Sequence, residues 1–306
     1  MSDLRMIRAV VEDRLDRQRL RTVDVDGVAT RVYDDGDGEP LLLVHGGGFG
    51  SLYSLDAWSL NLAPLATRFR VVAFDKLGQG HTGNPPGDAY TFRALFSHTV
   101  SLVRSLALGP AHVVGHSMGA FLAARLALEC PELVRSLVLV DSNTLAPDDE
   151  RFPWTAFYRD LERRIPLGPP TPETVRIEPD AQSFSREHVT DDWVVRLLEI
   201  AELSKLQEAK GRVGELRDTV WLPSLLPLRA RTLEEIDDRG LPVPTLVVWG
   251  RDDVSAPLPL ALQLYDRIAV RTADAELHVI GRAGHYCFRE QPRAFERLVA
   301  AFAGTC

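Results

Sequence analysis

The residues best suited to chemistry are a serine, an acidic pair and a histidine, which follow one another at wide spacing. Ser117 lies in a G-x-S-x-G pentapeptide, directly after an apolar run and before a helical pattern. A serine hydroxyl becomes a strong nucleophile when a histidine takes its proton and a carboxylate fixes the histidine tautomer. We predict that Ser117, one aspartate of the pair Asp252 and Asp253, and His285 are catalytic. The alternative is a solvated serine on a glycine-bounded turn.

A glycine-rich loop, HGGGFG at 45–50, directly follows an apolar run that predicts a buried strand. Successive glycines let backbone N–H groups face a ligand without obstruction by side chains. We predict that the N–H groups of Gly47 and Met118 stabilise an oxyanion, one from each side of the serine. Gly46 and Gly48 are expected to contact the substrate. A flexible loop is the alternative, but the position after a buried strand favours a functional role.

A sheet must position these groups, because apolar runs alternate with helical patterns along most of the chain. The run from Arg21 to Tyr33 alternates around Asp26-Gly27 and predicts a β-hairpin. Alternating strands and helices predict an α/β fold with a mostly parallel sheet wound on both faces. Ligands of such sheets lie at the carboxyl ends of the strands, where the polar residues concentrate here. The predicted strands lie at 41–44, 71–74, 111–114, 137–140, 245–249 and 277–280.

The composition shifts between residues 144 and 238, where prolines cluster and no buried strand is predicted. We predict that 1–143 and 239–306 form the α/β core, and that 144–238 is a helical lid inserted before the last two strands. A further helical pattern covers 3–18. Within the lid, amphipathic helical patterns cover roughly 154–164, 189–209 and 212–221.

The charge and composition exclude several classes of partner. The 306 residues carry Lys+Arg 35 and Asp+Glu 43, a net charge of −8, without a basic stripe. The N-terminus lacks the apolar core of a signal peptide, and no run of 18 apolar residues occurs. We therefore expect a cytoplasmic protein that binds a small molecule and neither nucleic acid nor a membrane, with a homo-oligomer left open. The three cysteines are too few and scattered for a disulfide framework or a zinc site.

Together these motifs resemble the α/β-hydrolase superfamily over nearly the whole chain. Within it, the chain is most similar to the meta-cleavage-product hydrolases, serine enzymes that cut carbon–carbon bonds in ring-opened catechols. The resemblance implies an α/β-hydrolase fold and neither a metal nor an organic cofactor. The segments that carry it are HGGGFG at 45–50, DKLGQG at 75–80, GHSMGA at 115–120, WGRDD at 249–253 and GHY at 284–286.

The resemblance also selects between the two aspartates. In the resembled enzymes the acid is the second aspartate of GRDD, three residues after the glycine and four before a proline. Gly250, Asp253 and Pro257 match this spacing. We therefore predict Asp253 as the acid that orients His285, and Asp252 as a residue that points away and caps the turn.

The chain departs from the resembled enzymes beside the predicted catalytic residues. Tyr286 stands where those enzymes tend to have tryptophan, and His116 where they tend to have asparagine. We expect both to contact substrate, although packing beside the turn is a second interpretation of His116. Arg196, one residue out of register, is expected to bind a substrate carboxylate, with a solvated arginine as the alternative. The next lid arginines for that role are Arg159, Arg163, Arg176 and Arg186.

The resemblance implies C–C bond hydrolysis in a 2-hydroxy-6-oxo-hexa-2,4-dienoate-type substrate. The histidine would help to ketonise the dienol, and the serine would attack the ketone or direct water to it. The products would be a 2-hydroxypentadienoate and a carboxylic acid. The departures at Tyr286 and His116 keep a carboxylesterase, lactonase or biosynthetic hydrolase with the same triad as the alternative. An intact serine, aspartate and histidine argue against a non-catalytic ligand-binding receptor.

Overall fold

A central sheet of eight strands organises the protein, which was analysed as a computed structural model describing residues 15–153 and 156–306. The strand order is β1-β2-β4-β3-β5-β6-β7-β8. Strand β2 pairs antiparallel with β1 and β4, and all other neighbours are parallel. The predicted α/β class, mostly parallel sheet and N-terminal hairpin are confirmed. The strands are β1 Leu20–Val25, β2 Val28–Asp35, β3 Glu39–Val44, β4 Phe69–Phe74, β5 Ala111–His116, β6 Val134–Val140, β7 Thr245–Gly250 and β8 Ala275–Ile280.

Helices cover both faces of the sheet, because its inner strands are apolar on both sides. In β3, Leu42 and Val44 pack into one core cluster, whereas Leu41 and Leu43 pack into the other. This alternation follows from the two-residue period of a strand. The helices are α1 Leu62–Ala66, α2 Phe92–Ser105, α3 Met118–Glu129, α4 Ala156–Arg164, α5 Pro172–Ala181, α6 Asp191–Ala201, α7 Ser204–Leu216, α8 Leu222–Arg239, α9 Leu258–Arg271, α10 Cys287–Glu290 and α11 Pro292–Ala303.

The described residues of the insertion between β6 and β7 form helices joined by loops, from α4 to α8, and contain no strand. The pattern predicted at 189–209 forms two helices, because the chain bends between α6 and α7. Helix α5 was missed because of its prolines. Pro172 occupies the first turn, where a proline is tolerated, and the Thr171 side chain caps the helix. The predicted helix at 3–18 falls mainly outside the described residues.

Two further properties hold for the described part of the chain. No helix there is long and apolar enough to cross a membrane. The same residues contain no cluster of at least three histidine, cysteine or acidic side chains that could hold a metal ion.

Candidate active site

Ser117 lies on the turn between β5 and α3, at the carboxyl edge of the sheet. Its φ of 53° and ψ of −122° fall in a region that non-glycine residues rarely adopt. The flanking glycines allow this turn to pack tightly. A Cβ on Gly115 would lie 2.4 Å from the carbonyl oxygen of Gly119, and one on Gly119 would lie 2.3 Å from that of Val44. The serine is therefore held in a strained backbone at the wall of a cavity.

His285 and Asp253 meet in the loops that follow β8 and β7. The Nδ1 atom of His285 lies 2.7 Å from Oδ2 of Asp253, and both side chains are buried. The other oxygen, Oδ1, accepts hydrogen bonds from the N–H and hydroxyl of Ser255 and from the N–H of Ala256, at 2.7 to 2.8 Å. These bonds fix the carboxylate, so that Nδ1 of His285 carries its proton and Nε2 can accept one.

Asp253 therefore makes both kinds of contact that the sequence analysis divided between two aspartates, one to His285 and one that closes the turn. The contacts that close the turn come from Asp253 Oδ1 and not from Asp252, because the loop directs Asp253 inward. Asp252 is partly exposed, and its backbone N–H donates to the carbonyl oxygen of Ala283. The prediction that Asp252 caps the turn is corrected accordingly.

The two backbone groups predicted to stabilise an oxyanion both belong to residues that line the cavity. Met118 is the first residue of α3, so its N–H is one of the donors without a partner inside the helix. A helix N-terminus also favours negative charge. Gly47 has a φ of 73°, which a side chain would oppose. This arrangement fits an anionic oxygen beside Ser117.

Lys76 supports the loop that carries Gly47. Its ammonium group donates hydrogen bonds to the carbonyl oxygens of Gly47, at 2.6 Å, and Gly46, at 3.2 Å. The backbone N–H of Lys76 donates to Nε2 of His45, at 3.1 Å. Burial lowers the pKa of Lys76 to about 7. No residue pattern pointed to this buried lysine beyond its place in DKLGQG.

Replacement of Lys76 by methionine should change how stability depends on pH. Between pH 7 and 10.5 the unfolded chain keeps the proton on Lys76 that the folded protein releases, so rising pH favours the folded wild type. The unfolding free energy of the wild type, relative to Lys76→Met, should rise over this window by at most about 1.4 kcal/mol per pH unit. Urea unfolding at several pH values measures the difference. If the unfolding free energies of the two proteins changed in parallel with pH, the lowered pKa of Lys76 in the folded protein would be refuted.

The cavity beside Ser117 has a volume of about 360 Å³. Gly48, His116 and Tyr286 line it, where the sequence placed substrate contacts. Gly46 instead packs behind the loop, because a Cβ there would lie 2.9 Å from His116 Nδ1 and 3.1 Å from Ser117 Cβ. The structure therefore places Gly46 behind the residues that line the cavity, and its contact with substrate stays a prediction. Other lining residues are Tyr53, Asn143, Tyr158, Glu162, Glu178, Gln182 and Trp221.

His116 combines the two roles that the sequence left open. It lines the cavity, and its Nε2 donates a hydrogen bond to the backbone carbonyl oxygen of His285, at 2.9 Å. Burial and the neighbouring His285 hold the pKa of His116 well below its usual range. His116 is therefore neutral and helps to position the His285 backbone.

Arg196 does not line this cavity. It is buried on α6, where its Nη2 donates to Ser59 Oγ at 3.2 Å and its Nε lies 3.7 Å from Asp56 Oδ1. Helix α6 packs against the short turn Leu55–Trp58, which carries Asp56. The structure therefore does not support the prediction that Arg196 binds a substrate carboxylate, because it places this side chain away from the cavity and against Ser59 and Asp56. None of the other candidate arginines lines the cavity either, namely Arg159, Arg163, Arg176 and Arg186.

Arg196→Ala should therefore lower stability and leave substrate preference unchanged. The variant removes a buried charged partner of Asp56, but Arg31 also pairs with Asp56 at 2.9 Å. We expect the free energy of unfolding to fall by about 1–2 kcal/mol. The ratio of kcat/KM for a dienoate to that for a neutral aryl ester should stay within about twofold, with exposed Arg159→Ala as the control. A selective loss on the dienoate would restore the original role.

Several polar side chains in the cavity wall were not singled out from the sequence, among them Tyr53, Glu178 and Gln182. Gln182 joins three tyrosines of this wall. Its Oε1 accepts hydrogen bonds from Tyr286, at 2.9 Å, and Tyr53, at 3.4 Å, and its Nε2 donates to Tyr158, at 3.3 Å. The available signal was Thr171-Pro172, a helix start that places Glu178 and Gln182 one turn apart.

The comparisons with known proteins agree with this architecture. The family model described as the alpha/beta hydrolase family matches residues 41–298. The chain is 31% identical to 2-hydroxymuconate semialdehyde hydrolase of Pseudomonas sp. (strain CF600), over 92% of this chain and 93% of that protein. It is 29% identical to 2-hydroxy-6-oxo-6-(2'-aminophenyl)hexa-2,4-dienoic acid hydrolase of Metapseudomonas resinovorans, over 92% and 90%.

A solved structure is similar over nearly the same span. The meta-cleavage product hydrolase CumD from Pseudomonas fluorescens IP01 superimposes with a TM-score of 0.74 and 28% identity, over 93% of this chain and 97% of that one. The predicted α/β-hydrolase fold and the resemblance to meta-cleavage product hydrolases are thus confirmed. The chain belongs to the α/β-hydrolase family of enzymes.

Proposed function

We propose that the protein is a serine hydrolase in which Ser117, His285 and Asp253 act as a catalytic triad. One observation carries the proposal: the 2.7 Å contact between His285 Nδ1 and Asp253 Oδ2, with His285 and Ser117 lining one cavity. Asp253 is fixed by its other hydrogen bonds, so it orients the imidazole and stabilises its cation.

The chemistry follows from these positions. His285 Nε2 takes the proton of the Ser117 hydroxyl, and Oγ attacks a carbonyl carbon of the substrate. The carbonyl oxygen becomes anionic beside the N–H groups of Gly47 and Met118. His285 then gives its proton to the leaving group, and water releases the acyl group from Ser117. Neither a metal nor an organic cofactor is needed for these reaction steps.

The bond that we propose to be cleaved is a C–C bond next to a ketone, in a 2-hydroxy-6-oxo-hexa-2,4-dienoate-type compound. The named relatives support this proposal, because they are hydrolases of such compounds and match over more than 90% of this chain. The carbon leaving group would accept its proton from His285 and depart as a 2-hydroxypentadienoate.

Ester or lactone hydrolysis is a second candidate, and the cavity wall favours it. A dienoate carries a carboxylate, yet the described lining residues include two carboxylates, Glu162 and Glu178, and no lysine or arginine. The same triad would attack an ester carbonyl without needing a cation at that place.

A substrate screen separates the two candidates. Phenyl-, alkyl- and carboxyl-substituted dienoates are compared with simple aryl esters, using purified protein and Ser117→Ala as the blank. The dienoates are coloured, so bleaching that depends on Ser117 supports C–C hydrolysis. Release of nitrophenol from a nitrophenyl ester without bleaching of the dienoates would support ester hydrolysis instead. If the protein showed neither activity, the proposal of a serine hydrolase would be overturned.

A further inference from the structure

The wall of the cavity that holds Ser117 also carries a carboxylate that the triad does not use. Glu178 lies on α5, one turn before Gln182, and lines the same cavity as Ser117 and His285. Burial raises the pKa of Glu178 to about 7, whereas Tyr53, His285 and Lys210 lower it. A carboxyl group in such a place is costly unless a partner offsets its desolvation.

The protein itself provides few hydrogen-bond donors or cations that could act as this partner. Within the described part of the chain, Glu178 forms no ion pair. Lys210 acts on Glu178 through its charge only, and its side chain packs against the backbone of Gly50. Tyr53 lies close enough to lower the pKa of Glu178, but its single hydroxyl proton is donated to Gln182 Oε1 at 3.4 Å, while an ionised carboxylate has about four acceptor positions. Most of the acceptor capacity of Glu178 is therefore open to the cavity.

The neighbouring polar groups already have partners. The Gln182 side chain bonds to Tyr53, Tyr158 and Tyr286, and its backbone oxygen accepts the N–H of His285. Burial and Glu178 hold the pKa of Tyr286 well above its usual range, so its hydroxyl stays protonated. The wall as a whole therefore presents the oxygens of Glu178 to a hydrogen-bond donor or a cation in the cavity.

We propose that Glu178 makes this cavity selective for a substrate whose non-reacting end carries a protonated amine. The ammonium group would donate charge-assisted hydrogen bonds to the carboxylate of Glu178, while Ser117 attacks the carbonyl at the other end. This inference rests on the proposed function in one respect, namely that the reacting carbonyl lies beside Ser117. An amine on the acyl side of the reacting carbonyl is compatible with cleavage of either a C–C or an ester bond, because the carboxylate of a dienoate lies on the leaving-group side.

The test uses three 4-nitrophenyl esters of matched length, namely the 6-aminohexanoate, the heptanoate and the adipate monoester. For the wild type, kcat/KM should be highest for the ammonium ester and lowest for the anionic ester. Glu178→Gln should lower the ratio of kcat/KM for the ammonium ester to that for the neutral ester by about tenfold or more. Glu173→Gln, on the exposed part of α5, should leave this ratio unchanged.

A ratio between two substrates cancels any general effect of Glu178 on His285. If the wild type had the same kcat/KM for the heptanoate ester as for the ammonium ester, the proposal would be overturned, whatever the variant does. A Glu178→Gln protein that is folded by circular dichroism and keeps the wild-type ratio would overturn it as well.

A binding measurement separates this proposal from the proposed function. Calorimetry with the Ser117→Ala protein should detect hexylammonium but not hexanoate, and adding Glu178→Gln should weaken the amine by about tenfold or more. Amine binding without ester or dienoate hydrolysis by the wild type would uphold the specificity and refute the hydrolase. Serine-dependent hydrolysis together with equal binding of hexylammonium and hexanoate would uphold the hydrolase and refute the specificity for an amine.

Discussion

Replacing Ser117 with alanine is expected to lower turnover by about four orders of magnitude or more, with the fold and substrate binding retained. Without Oγ no covalent intermediate forms, and His285 has no serine proton to accept. The backbone should tolerate the change, because the turn is held by main-chain contacts such as the 2.8 Å bond from Ser117 N–H to the Val140 oxygen. Initial rates on the substrate found by the screen provide the measurement.

Ser105→Ala is the matched control, because this exposed serine lies on α2 and does not line the cavity. It should keep the wild-type rate. A Ser117→Ala protein that binds substrate and turns it over within about tenfold of the wild type would show that Ser117 is not the nucleophile.

Asp253→Asn should lower kcat by about three to four orders of magnitude. Its amide oxygen can keep the hydrogen bonds from Ser255 and Ala256 that Oδ1 accepts now. The amide NH₂ then faces Nδ1 of His285 and favours the tautomer that carries its proton on Nε2. That tautomer cannot take a proton from Ser117, although the shape of the site is unchanged.

Asp252→Asn is the control for this effect, because the two aspartates are adjacent and only Asp253 contacts His285. We expect Asp252→Asn to change kcat by less than about threefold. Steady-state kinetics of both variants, with circular dichroism to verify folding, would decide between them. Equal losses, or a larger loss for Asp252→Asn, would contradict the choice of Asp253 as the acid.

The sheet and the motifs at its carboxyl edge were predictable, because each depends on local sequence. The apolar run at 41–44 could only be a buried strand, and Gly115 and Gly119 mark a tight turn around Ser117. The meeting of Asp253 and His285 followed from the loop positions once the sheet was parallel. These inferences require the order of the strands and little knowledge of how distant side chains pack.

The cavity wall was not predictable, because it depends on how the inserted helices are rotated against the core. Arg196 is in a segment that was predicted to be helical, yet the face it occupies depends on tertiary contacts such as those with Asp56 and Ser59. Glu178 was missed because Pro179 argued against a helix there. A pattern of residue types predicts that a helix is amphipathic, but the partner of each face is fixed only by tertiary contacts.

The most direct test of the central claim is active-site labelling with an alkyl fluorophosphonate, followed by mass spectrometry of the intact protein and its peptides. A serine activated by His285 should take up one phosphonyl group per chain, on the peptide that contains Ser117. Ser117→Ala should take up none, and Asp253→Asn should react far more slowly. Labelling at another serine, or equal labelling of the wild type and Ser117→Ala, would contradict the assignment of Ser117 as the nucleophile.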